Sequence, residues 1–269
     1  MTRLAAAVRA ALVVATLGFL LLGGCTRAPA VDPSPSPSPT AAAPGTPVLA
    51  PDGTWRVVLA AGPVSLQVAA AAARLDDGSS PVEATPESDG VAALTVDPDG
   101  LSRDVPVVLT LDPPGSLEAA GDGGVSVLDA AGTVVGGIPA PGADVTLAVT
   151  DATHAALTVP EPADAAARAT PVALTLGTHG LVSATWGDRE GGRSLAVDPT
   201  RWARRSGAAG WALVWAEVVA AHPDAGTAGM HDQLVCHGIG APDKATWNLE
   251  PWRPDVGLAA VLAARCNPT

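Results

Sequence analysis

The chain has 269 residues and a formal charge of −12, with 27 acidic against 15 basic side chains. That balance lacks the basic footprint that nucleic acid or an anionic lipid surface requires, so neither is an expected partner. Apolar residues make up 48% of the chain and aromatics only 3%, which allows one large or two small cores built from small side chains.

Residues 1–24 have the three parts of a secretory leader: Arg3 and Arg9, an apolar run from Ala10 to Leu22, then small residues. The run holds 13 residues, short of the roughly 20 that span a bilayer as a helix. It ends in Leu22-Gly23-Gly24-Cys25, which resembles a bacterial lipobox. The resemblance implies cleavage before Cys25, a diacylglyceryl group on its sulfur and a fatty acyl group on the new amino terminus. The mature protein would then be held at the outer face of the cytoplasmic membrane, since two or more chains make a stable anchor where one is marginal.

Residues 25–51 form the lipidated N-terminus and a Pro/Ser-rich linker, including Pro33-Ser34-Pro35-Ser36-Pro37-Ser38-Pro39. Such a segment buries too little apolar surface to offset its ordering entropy, and repeated proline biases it toward extended polyproline II. It reads as a spacer.

Residues 52–160 read as an acidic β-rich domain, a sandwich or small barrel. Between Thr26 and Thr178 there are 18 acidic and five basic residues. Val64–Val68 and Val145–Val149 alternate apolar and polar, the period of a half-buried strand. Val105–Leu111 and Ala155–Val159 are rich in β-branched and other apolar residues and bounded by turn residues. Val125–Leu128, Asp129-Ala130-Ala131-Gly132 and Thr133-Val134-Val135 spell a hairpin. The Ala69–Ala73 run suits either a strand extension or a short helix. His154 has no cysteine, histidine or carboxylate pair nearby and reads as an exposed strand residue, and the Asp-rich turns lack EF-hand spacing, so they read as solvated turn carboxylates.

Residues 161–178 read as a connector followed by a strand from Val172 to Leu176. Residues 179–269 have a different composition, with nine acidic and eight basic side chains and six of the seven tryptophans. They read as a small α+β domain. Leu181–Trp186 and Ser194–Val197 flank Asp188-Arg189-Glu190-Gly191-Gly192 as a hairpin, and Asp198–Trp202 resembles a capped helical turn. Trp211, Val214, Trp215, Val218 and His222 recur at helical spacing, and Pro223 ends that helix. A last helix is expected over Asp255–Cys266, with Val256, Ala259, Ala260, Ala263 and Cys266 on one stripe.

If Cys25 carries lipid, Cys236 and Cys266 remain, and outside the cytoplasm they can pair. Two buried free thiols are the alternative. Three motifs then carry a family resemblance: Met230-His231-Asp232-Gln233-Leu234-Val235-Cys236-His237, Lys244 through Pro254, and Ala264-Arg265-Cys266-Asn267-Pro268. Together with the hairpin they resemble an actinobacterial family of exported proteins catalogued as Domain of Unknown Function 2599. The resemblance covers about a third of the chain. It implies export and a Cys236–Cys266 disulfide, and it implies no known activity.

Three readings compete for the polar residues of this region. A hydrolase would use His231 or His237 as general base with Asp232 or Glu217, but adjacent side chains point apart and no Gly-x-Ser-x-Gly string is present. A zinc site would need a thiolate that a disulfide removes, so no metal is expected, and no cofactor motif is found. The third reading is a core partly built from tryptophan, with Trp211 and Trp215 inside. Trp247, Trp252 and Arg253 are its candidate recognition surface for a cell-wall polymer or another exported protein. A membrane-tethered inhibitor or immunity-type protein is one version of that binding role.

Overall fold

A computed structural model describes residues 43–71, 78–97, 106–142, 145–158 and 170–269 of the chain. The leader, Cys25, most of the Pro/Ser-rich linker and the 161–168 connector lie outside the described residues.

Two six-stranded antiparallel sheets form a sandwich. In chain order its strands are β1 (Val48–Leu49), β2 (Thr54–Ala61), β3 (Val64–Ala71), β4 (Val82–Ser88), β5 (Val91–Val96) and β6 (Val107–Leu111). They are followed by β7 (Ser116–Ala119), β8 (Val125–Leu128), β9 (Val134–Ile138), β10 (Thr146–Val149), β11 (His154–Thr158) and β12 (Val172–Gly177). The first sheet runs β1-β2-β3-β6-β11-β10 and the second β4-β5-β12-β9-β8-β7. Alternation places Leu66 and Val68 of β3, Leu109 of β6, Leu94 of β5 and Leu174 of β12 in one shared core. The Ala69–Ala73 run is strand as far as Ala71, paired with Thr54 across β2. The Val172–Gly177 strand, read from sequence as the end of a connector, is inserted between β5 and β9 of the second sheet.

The C-terminal region adds a three-stranded sheet, ordered β13-β14-β15, with three helices. β13 (Leu181–Arg189) and β14 (Gly192–Pro199) are the expected hairpin, and β15 (Trp247–Leu249) pairs with β14. A 3-10 turn, Ala203–Arg205, follows. Its start is capped as the sequence indicated, with the Ala203 amide donating to Thr200 Oγ1 at 3.2 Å. Helix α1 spans Gly207–Ala221, α2 spans Ala228–Gly240 and α3 spans Leu258–Ala263. Leu195, Val197, Val214, Val218, Met230, Leu234, Trp247 and Leu249 form the second core. No helix among the described residues is long and apolar enough to cross a membrane.

All three helices differ from the sequence reading: Met230–His237 reads only as a motif, yet it lies within α2, whose start is capped by the Thr227 side chain accepting from the Met230 amide. α1 begins four residues before Trp211, after Ser206, whose hydroxyl donates to the Trp202 carbonyl at 2.8 Å and does not cap the helix. Its first turn is held by a distant group instead: the Ala208 amide donates to Asp122 Oδ2 of the sandwich at 2.7 Å. α3 is shorter than Asp255–Cys266. Gly257 at φ 78° precedes it, and Arg265 and Cys266 take positive φ after it. Val261 is its buried residue, whereas Val256, Ala259, Ala260 and Ala263 face solvent. In so alanine-rich a segment several stripes look equally apolar, so periodicity did not fix the buried face. The Cys236–Cys266 disulfide is formed and ties the chain just beyond α3 to α2. Its sequence separation of 30 residues corresponds to about 3–4 kcal/mol of stabilisation in the chain-entropy view.

Candidate functional site

A buried polar arrangement of the C-terminal region is centred on Arg253. Its Nε donates to Glu250 Oε2, one terminal nitrogen donates to Glu190 Oε2 at 2.7 Å, and the other donates to the Pro268 carbonyl at 3.2 Å. Glu250 is itself fixed by Gln233 of α2: its amide donates to Gln233 Oε1 at 2.8 Å, and its carbonyl accepts from Gln233 Nε2 at 3.1 Å. One guanidinium therefore joins the hairpin turn, α2, the loop after β15 and the chain end. Both acid partners matter, because a buried cation left without them would carry a large desolvation cost.

Trp252 is the outward face of this node. The residue is 45% exposed, with the Arg253 guanidinium 4.5 Å from the centroid of its ring. A Cβ on Gly192 would overlap the indole, so the ring lies directly on bare backbone of the hairpin. The result is an exposed indole whose orientation is set by a cation beside it and a glycine against it.

The other two proposed surface residues are placed differently. Trp247 is wholly buried in the second core, near-parallel to His237 with ring centroids 6.4 Å apart. Arg253 is buried by its own ion pairs. The expectation that Trp247, Trp252 and Arg253 share one exposed surface is thus corrected: Trp247 and Arg253 are buried, and Trp252 is exposed. Trp247 faces inward because the two-residue period of β15 puts Trp247 and Leu249 on the same buried side. Trp211 and Trp215 pack, partly buried, against the second core as expected.

The residues weighed for catalysis do not come together. Glu217 Oε1 accepts from the Gly180 amide at 3.0 Å, with His179 Nδ1 3.8 Å away. His231 lies edge-on to Trp215 at 5.0 Å, and its Nδ1 is 3.8 Å from Asp232, beyond hydrogen-bond reach. His237 is buried and donates Nε2–H to the Asn248 carbonyl at 3.2 Å. Burial of the imidazole holds its pKa down at about 4, so the ring is neutral at physiological pH. Among the described residues no three His, Cys, Asp or Glu side chains gather where one metal ion would fit. Glu217, His231 and His237 instead each meet a different neighbour: the Gly180 amide, the Trp215 ring and the Asn248 carbonyl.

Two features escaped sequence reading. Glu190 reads only as part of a turn and Gln233 only as part of a motif, and the tertiary fold brings Glu190 to Arg253 and Gln233 to Glu250. Arg204 is a second internal hub. It binds Asp198 at 2.7 Å and the carbonyls of Pro199, Pro242, Lys244 and Ala245, clamping the loop ahead of β15. Nothing in the local pattern Arg204-Arg205 tells the inward arginine from the outward one.

Residues 181–269 match the family described as "Protein of unknown function (DUF2599)". The uncharacterized protein Rv0477 of Mycobacterium tuberculosis and the uncharacterized protein Mb0487 of Mycobacterium bovis are each 46% identical over 93 residues. Each match covers 32% of this chain and 61% of the relative, so the chain spans less than two thirds of the length of these relatives. The uncharacterized protein ML2452 of Mycobacterium leprae is 47% identical over 58 residues, covering 20% of this chain and 47% of its own. No solved structure matches significantly.

Proposed function

Taking residues 181–269 as a DUF2599 domain at the C-terminus, we propose that the protein is a lipid-anchored cell-envelope protein that binds a wall polymer without transforming it. The anchor is Cys25, the spacer is residues 25–51, and the binding element is the C-terminal domain. Trp252 carries the binding half of this reading: a large indole, exposed yet fixed in orientation, is the kind of surface on which sugar rings stack. Exposed, pre-oriented aromatics lose little entropy when they engage a ligand. The hydrolase reading gains no comparable support, because His231, His237 and Glu217 each meet a different neighbour and Asp232 lies 3.8 Å from His231, too far for a hydrogen bond.

Two measurements test the proposal. Intact-mass spectrometry of protein from its native host should find a mature chain beginning at Cys25 with fatty acyl groups attached. An intact Met1 leader would overturn the anchor. Co-sedimentation of a soluble form starting at Thr26 with purified wall sacculi should retain the protein. Full recovery in the supernatant would overturn wall binding.

A further inference from the structure

A second concavity lies apart from Trp252, where the second sheet of the sandwich meets the start of β13 and the 3-10 turn ahead of α1. Its volume is about 560 Å³, within the usual range for small-molecule sites. Arg201 and Arg205 both line it, with His179, Trp202, Val182 and Asp89. The three arginines of this turn behave differently. Arg204 points inward and is saturated by Asp198 and backbone carbonyls. Arg201 and Arg205 are exposed and form no ion pair or side-chain hydrogen bond with any described residue. In a chain where acids outnumber bases 27 to 15, two guanidinium groups facing one cleft without acid partners need an explanation. Asp89 is the sole carboxylate of the lining and pairs with neither.

The walls of the cleft are held in place. Trp202 Nε1 donates to Thr175 Oγ1 at 3.0 Å, and the indole lies on Gly177, where any Cβ would overlap it. Thr200 Oγ1 donates to the His179 carbonyl at 3.0 Å, fixing the rim to the turn that carries both arginines. Val182, 62% exposed, adds an apolar edge. Each guanidinium offers a planar fork suited to two oxygens of one oxyanion. The net negative charge of the chain repels anions at long range, but at physiological salt that field is screened beyond about 8 Å, leaving the local donors to decide.

We infer that this cleft binds a small saccharide carrying an oxyanion, phosphate or carboxylate. Arg201 and Arg205 hold the oxyanion, and Trp202 and Val182 contact the ring. The site is independent of Trp252 and of wall binding.

Isothermal titration of the full chain in detergent, with glucose 6-phosphate, glucuronate, inorganic phosphate and glucose as separate probes, tests it. Saturable binding of glucose 6-phosphate, glucuronate or both is expected, at least tenfold tighter than glucose, and the preferred probe identifies the anion. The double variant Arg201→Gln/Arg205→Gln should lose at least tenfold in affinity with its melting temperature unchanged, because both side chains are exposed and unpaired. Trp252→Ala should bind the anionic sugar normally, which separates this site from the wall-binding surface. The inference is overturned if neither anionic sugar binds, if inorganic phosphate alone binds, if glucose binds equally well, or if the double variant retains wild-type affinity.

Discussion

Arg253 and Glu250, three residues apart in the chain, form an ion pair inside the C-terminal domain with each side chain only 3% exposed. Their pairing lets a charged residue sit beneath Trp252 without facing water. Arg253→Met keeps much of the volume and strands Glu250 as an uncompensated buried charge. It should lower stability by about 3–5 kcal/mol, read from urea unfolding. Arg253→Met/Glu250→Gln should recover part of that loss. A single variant within about 1 kcal/mol of wild type would show that water reaches the pair.

His237 makes acid sensitivity a second prediction. Its folded pKa of about 4 lies below the ordinary 6.5 because the ring is buried. The unfolded chain therefore takes up this proton near pH 6.5, while the folded protein resists until about pH 4. Its stabilising effect is complete above pH 6.5 and is lost progressively as pH falls toward 4, a total of roughly 3 kcal/mol. Between pH 7 and 4.5 the wild type should lose more stability than His237→Gln, whose amide keeps a donor for Asn248. Parallel pH profiles would exclude His237 as the responsible group.

Glycine against indole occurs twice around α2 and the hairpin, with opposite consequences. Gly238 lies under the partly buried Trp211, and Gly192 under the exposed Trp252. Gly238→Ala should destabilise the domain by about 1–3 kcal/mol, since the new methyl would overlap Trp211, which is packed against the second core. Gly192→Ala should leave the melting temperature nearly unchanged, because Trp252 is free to swing outward, and should weaken wall binding. Equal melting shifts in the two variants would contradict this difference.

What was legible in the sequence is local. The 188–192 hairpin, the alternating strands of the sandwich and the stop at Pro223 are encoded within a few residues, and the structure has them. The Cys236–Cys266 bond followed from the spare thiols and the family motifs. Contacts between distant segments were not legible. The start of α1 depends on Asp122, 86 residues away, and the role of Glu190 depends on Arg253, 63 residues away. Trp247 and Trp252 look equivalent in Trp247-Asn248-Leu249-Glu250-Pro251-Trp252, yet strand pairing buries the first, and the turn after β15 exposes the second.

The most direct test of the binding claim compares wild type with Trp252→Ala in the wall co-sedimentation assay. Truncating an interfacial indole that anchors recognition costs about 2 kcal/mol or more, which is roughly 30-fold in affinity. The account predicts that the wild type is retained on sacculi and that the variant, with an unchanged near-ultraviolet spectrum and disulfide, is lost to the supernatant. Equal retention of the two folded proteins would contradict it.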